Sequence, residues 1–310
     1  MATERSGFPE LLKKTAYQYF FEEYDRHDPV YPKIFRVDNS TGAYEQTTTA
    51  IRTSTLREKK EGSEILVSNP LEGFTVYGKN RTFTDSYELT LEMTEDTPTE
   101  KIMNILSEIA RGWGEGVITS KEQYAVKFFN YGGYTAGHDV FNNSITGVVT
   151  DPTGDLCYDG LPFFNLTGNR RYSKGGGSYY NGLALALSSA NLQTAYNLMT
   201  NTNNRNEKDE IVAIKPNVLV IPPALRFTAK TILESDKVVG SGNNDVNVTQ
   251  NLVTPIEWHY LSDTDAWFLG VAGKGLVWQE RKQPLIQSYQ DEKAKSYYVT
   301  IIARWAAPIS

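Results

Sequence analysis

The chain has 310 residues, of which 40% are hydrophobic and 22% charged, a composition that folds rather than one that stays disordered. Its formal net charge of −6 removes the cationic footprint by which proteins grip nucleic acid through phosphate. A single cysteine, Cys157, excludes an internal disulfide and fits a reducing cytoplasm, no run approaches the roughly 20 apolar residues of a membrane span, and the opening MATERSGFPELLKK lacks the apolar centre of a signal peptide.

Residues 1–42 read as an arm. Phe8, Leu11, Leu12, Tyr17, Phe20, Phe21 and Tyr24 are apolar, and DRHDPVYP breaks any helix at Pro29 and Pro32. So much apolar surface on a short segment predicts burial against something else.

Residues 43–96 read as a β excursion. EILVS and GFTVYG are predicted strands around the turn SNPLEG, and Tyr87, Leu89, Leu91 and Met93 alternate with polar residues as in a half-buried strand. The run Arg57 to Gly62, REKKEG, is the expected exposed tip.

A long helix follows. Thr97 is the expected cap, with Pro98 at the first position and Glu100 in the first turn. Ile102, Leu106, Ile109, Trp113, Val117, Tyr124, Phe128 and Tyr131 step by three or four residues, with one seven-residue gap. The phase passes through Gly112, Gly114 and Gly116, so GWGEG predicts a bend inside one helix of about 50 Å at 1.5 Å per residue.

From about 137 to 270 the chain turns to strands, polar loops and two helices. Leu185, Leu192, Ala195, Tyr196 and Met199 share a face of the first. NVLVIPPALRFTAKTILES supplies a strand covered on both faces, Val218 to Ile221, which must stop at Pro222 and Pro223 because neither has an amide hydrogen. Leu225, Thr228, Ala229 and Ile232 then form one helical stripe. The tail, PLIQSYQ and SYYVTIIARWA, predicts two strands that pair with elements laid down much earlier.

No catalytic constellation stands out. SKGGGSYYNG lacks the G-K-[ST] ending of a phosphate loop and reads as a flexible loop. Cys157, His138 and Asp139 are scattered, His27, His138 and His259 have no metal-site spacing, and Asp263 and Asp265 suit a turn. No catalytic, cofactor-binding or metal residue is therefore assigned. The 19 tyrosines suit partly wet protein–protein contacts.

The order of these elements resembles the major capsid proteins of tailed phages, the Hong Kong 97 type of fold, and most of all the Mu-like major head subunits. EGSEILVSNPLEGFTVYGKNRTFTDSYELTLEM is similar to that family's extended loop, KEQYAVKFFNYGGYTAG to its spine helix and exit, NVLVIPPALRFTAKTILES to the strand and helix of its axial domain, and YLSDTDAWFLG to the strand that follows. The resemblance implies an α+β, Hong Kong 97-like fold: an N-terminal arm (1–42), an extended β hairpin loop (43–96), the spine helix of a peripheral domain (97–136), an axial domain (137–270) and strands returning to the peripheral domain (271–310).

It also implies a structural protein rather than an enzyme, self-assembling as pentamers and hexamers into an icosahedral shell around double-stranded DNA. The implied place is the virion, after assembly in the host bacterial cytoplasm. The expected partners are other copies of itself, a separate scaffolding protein (no scaffolding domain fits before residue 45), a portal and a decoration protein, with no membrane, no cofactor and no sequence-specific DNA binding. Lys59, Lys60 and Lys79 could supply the amine of a lysine–asparagine cross-link, but residues 252–310 contain no asparagine, so that chemistry is not implied. The alternatives are a tail or decoration protein, or an enzyme with an unrecognised site.

Overall fold

The computed structural model describes residues 8–50, 58–65, 72–132, 163–165, 171–173, 176–206, 208–238 and 245–307. Its largest sheet has four strands in the order β1 (Arg36–Asn39), β10 (Val277–Gln290), β11 (Tyr297–Ala306), β4 (Arg81–Leu89). β1 lies parallel to β10 and the other pairings are antiparallel. The tail strands thus pair with elements more than two hundred residues upstream, as expected. In β11 Tyr297, Val299, Ile301, Ala303 and Trp305 are buried while the residues between them are not, so only one face of the sheet is covered.

The helix α4 (Thr99–Asn130) covers that face. It begins one residue later than expected, with Pro98 at the cap, and is continuous through all three glycines. Its first half buries Ile102, Leu106, Ala110 and Trp113 against Leu89, Ile286, Val299 and Ile301 of the sheet. Towards its end it is enclosed, with every residue from Tyr124 to Phe129 buried.

The arm departs from expectation. Its residues form a 17-residue helix, α1 (Phe8–Tyr24), that packs along α4 and leaves Leu12, Ala16 and Phe20 fully buried in the same core. Those three are therefore covered by their own chain, whereas Leu11 and Tyr17 stay 41% and 49% exposed. Pro32 also starts an element instead of breaking one. It occupies the first turn of the short α2 (Tyr31–Ile34), where a missing amide hydrogen costs nothing, and Tyr31, Ile34 and Phe35 enter the core.

The β excursion is shorter than read. β2 (Tyr44–Ala50) and β3 (Glu72–Lys79) form a separate antiparallel ribbon, whereas β4 belongs to the main sheet. The alternation from Tyr87 to Met93 does not stay a strand. The Thr90 side chain accepts from the Met93 amide, and this cap converts Leu91–Asp96 into a short helix, α3. Glu64 and Ile65 are outside any strand, and the rest of EILVS lies outside the described residues.

A second body is built on β7 (Val218–Ile221), the centre of a sheet ordered β8 (Thr254–Glu257), β7, β9 (Phe268–Gly270). All four β7 residues are buried because its two faces serve two cores. Val220 joins Trp258 and the spine residue Phe129, while Leu219 and Ile221 join α5 (Ser189–Asn197) and α6 (Arg226–Glu234) through Leu192, Ala229 and Leu233. On α6 the buried stripe includes Leu233 and leaves Thr228 exposed, a small rotation from the expected face. The first predicted helix starts at the Ser188 cap, so Leu185 precedes it and stays 38% exposed.

Candidate assembly interface

Two adjacent residues of the spine tie the molecule together. Lys121 Nζ donates to both Glu280 carboxylate oxygens, at 2.9 and 3.1 Å, and to the Tyr24 hydroxyl at 3.2 Å. Glu280 also accepts from the Trp278 indole at 3.0 Å. The lysine is 1% and the glutamate 6% exposed, so the pair joins α4 to β10 in a water-poor interior. Such a pair survives because hydrogen bonds satisfy both charges.

Glu122 faces other partners. Oε1 accepts the Val30 and Tyr31 amides, the latter at 3.1 Å, and Oε2 accepts the Trp258 indole N–H. Burial pushes this carboxyl above its ordinary pKa, against the downward pull of the three donors. Burial, with Glu280 second, also pushes the Tyr31 hydroxyl far up, so it stays protonated. Sequence reasoning missed both charged residues, yet a signal existed. The one seven-residue gap in the apolar stripe, between Val117 and Tyr124, is where Lys121 stands on the buried face.

The ribbon has an equally specific root. Glu45 Oε1 accepts from the Ser40 hydroxyl (2.8 Å) and from the amides of Thr41 (2.9 Å) and Gly42 (3.0 Å). The buried Asn80 amide donates to Ser40 Oγ at 2.6 Å and to the Gly42 carbonyl at 2.9 Å. The Gly42 amide first, then Ser40 and Thr41, hold the Glu45 carboxyl below its ordinary pKa. This knot closes the neck where the chain leaves the body. Beyond it each ribbon strand packs chiefly on the other, and the far end shows Ile65 at 78% exposure beside a turn at Gly62, whose φ of +76° suits glycine. Glu58 to Glu61 are exposed, consistent with the predicted tip, while Arg57 lies outside the described residues.

Among the described residues, those weighed for chemistry do not converge. Cys157, His138 and Asp139 lie outside the described residues. His27 sits 3.3 Å from Glu23 and His259 3.5 Å from Glu257. Asp263 accepts the Asp265 amide, the turn role expected of it. Among the described residues no group of three or more histidine, cysteine or acidic side chains is placed to hold a metal, and no helix is long and apolar enough to cross a membrane. The glycine-rich stretch is not a free loop. It folds into a hairpin, β5 (Arg171–Tyr172) with β6 (Ser178–Tyr179), fastened to Asp209 by the Ser173 and Tyr179 hydroxyls and the Gly177 amide. Lys59, Lys60 and Lys79 are all exposed.

Residues 75–307 match the family model described as phage capsid protein. The bacteriophage JBD30 capsid is similar in structure, with 16% identity, 78% of this chain and 94% of that chain covered, and a TM-score of 0.51. A Mycobacterium phage Patience structure is 10% identical, with 97% of this chain and 84% of that chain covered, at a TM-score of 0.49. No curated protein matches the chain. The JBD30 likeness concerns the fold alone, and that fold is the Hong Kong 97 type. With the family model matching three quarters of its length, the chain belongs to the phage capsid protein family.

Proposed function

We propose that this chain is the major head subunit of a tailed phage, nearest the Mu-like branch, and that it self-assembles as hexamers and pentamers into an icosahedral shell enclosing double-stranded DNA. The observation that carries this reading is the β2–β3 ribbon. A two-stranded ribbon is marginal alone, and this one, pinned at its neck, packs chiefly between its own two strands. A neighbouring copy is the natural cover for it, and many repeated interfaces of about 1,000–2,000 Å² sum to a closed shell. The β7-centred body fits the axial part, and the main sheet with α4 fits the peripheral part.

The role is structural rather than catalytic. The partners are further copies of the chain, a separate scaffolding protein, a portal and a decoration protein, with assembly in the host bacterial cytoplasm. The net charge of −6 favours holding the genome by confinement over base readout. Electron microscopy of the purified full-length chain tests the proposal. Closed icosahedral shells are expected; rods would indicate a tail protein, and a discrete small oligomer would overturn the shell reading.

A further inference from the structure

We propose that Glu122 is a proton-operated latch, which holds the β7-centred body to the spine helix through Trp258 when ionised and lets it go when protonated. The argument begins with the partner set. All three partners of this carboxylate are N–H donors, from Val30, Tyr31 and Trp258. An ionised carboxylate satisfies every one. A protonated carboxyl carries an O–H of its own, and it faces only other donors, so one contact must open. Oε1 serves two backbone amides and Oε2 serves one indole. Placing the proton on Oε2 sacrifices one bond instead of two, so the Trp258 contact is the one that opens.

Position makes that contact matter. Trp258 is fully buried, its amide donates to the Ile221 carbonyl at the end of β7, and its ring meets the spine residue Phe129 at 5.4 Å. One residue away, Lys121 remains bonded to Glu280 on the main sheet. Protonating Glu122 therefore loosens one body while the other stays fastened. Burial holds this carboxyl above its ordinary pKa, which places the transition at weakly acidic pH instead of strongly acidic pH.

The charged surroundings are defined. On its own helix Lys121 is taken by Glu280; from the α1–α2 segment Tyr31 and Lys33 approach, with Lys33 also paired to Asp28 at 2.6 Å. From the Trp258 segment, Glu257 is held by Arg226 and His259. Lys33 favours the ionised latch, and among the described residues no other carboxylate bonds to Glu122.

The test is a pH titration of the full-length chain from pH 8 to 4, following the Trp258 indole N–H and the Val30 and Tyr31 amides by nitrogen-15 NMR. The wild type is expected to show one transition above the ordinary carboxylate range, with about tenfold loss of indole exchange protection once acidic, the size of one charge-assisted hydrogen bond. Glu122→Gln presents an amide donor to the same donors, so it should show the acidic indole signal at pH 7 and lack the transition. Trp258→Phe removes one donor to the anion and should move the midpoint read at Val30 and Tyr31 upward. A wild-type indole signal independent of pH, or a transition that persists in Glu122→Gln, overturns the latch. If Glu122→Gln does not fold, an unchanged midpoint in Trp258→Phe overturns it equally.

Discussion

Gly114 lies directly under Phe20: a Cβ placed on this glycine would stand 2.9 Å from the Phe20 carbonyl oxygen and 3.0 Å from the Tyr24 amide nitrogen. Those atoms are backbone, so they cannot swing aside. At the middle glycine of GWGEG α1 thus approaches α4 too closely for a side chain, while Gly112 and Gly116 on either side face open space. Gly114→Ala should destabilise the subunit by about 1–3 kcal/mol, the range of overpacking. Gly112→Ala should stabilise it by up to about 1 kcal/mol through helix propensity. Thermal melts of the two variants check this, and equal shifts of the same sign would refute the close-approach account.

The buried pair Lys121–Glu280 should behave as a unit. Lys121→Met leaves an uncompensated carboxylate in the interior and should cost about 3–5 kcal/mol. Adding Glu280→Gln keeps an acceptor for the Trp278 indole and should recover much of that loss. Denaturant unfolding of both singles and the double measures the coupling; strict additivity would mean that the two charges do not depend on each other.

At the ribbon neck, Glu45→Gln should speed exchange of the Thr41 and Gly42 amides while leaving the core unchanged. The pH dependence has a definite sign. The folded carboxyl titrates below its ordinary value, so its contribution is present above the unfolded pKa and is lost as pH falls through the lower folded one. Exchange at the neck in the wild type should therefore rise, relative to intrinsic rates, only at strongly acidic pH. Neck protection that disappears at mildly acidic pH would point to a different group.

Deletion of residues 57–61 should leave a soluble subunit with wild-type melting and block shell formation, because it removes the ribbon tip and nothing from either core. Sedimentation and electron microscopy separate the outcomes. Normal shells from this variant would count against the ribbon as an assembly element.

Hydrogen exchange should divide the N-terminal segments. In free subunits the ribbon, residues 44–50 and 72–79, should exchange quickly and slow by orders of magnitude in shells. Helix α1 should be protected in both states, since Leu12, Ala16 and Phe20 are already buried within the subunit. Fast exchange across α1 in free subunits would mean that its docking on α4 depends on assembly.

Much of this architecture was legible in local pattern. Val218–Ile221 ending at two prolines and the three- and four-residue steps of the spine each encode which faces an element buries, and both are observed, as are the two tail strands. Such signals need only the backbone period and the apolar positions. What covers a face is a different matter, because it depends on residues distant in sequence. The apolar stripe of α1 read as a surface for another subunit, but the close approach permitted at Gly114 lets its own spine cover Leu12, Ala16 and Phe20. Thr90 capping turned an alternating run into a helix, where one hydrogen bond outweighed the strand pattern of Leu91 and Met93. Lys121 and Glu122 sit on a buried face because Glu280 and Trp258, more than a hundred residues further along, arrive there with matching groups. A charge in the core is tolerable only with its partner in place, so the gap in the stripe marked where Lys121 stands, but its burial and that of Glu122 were decided only when the tertiary structure brought the two ends of each contact together.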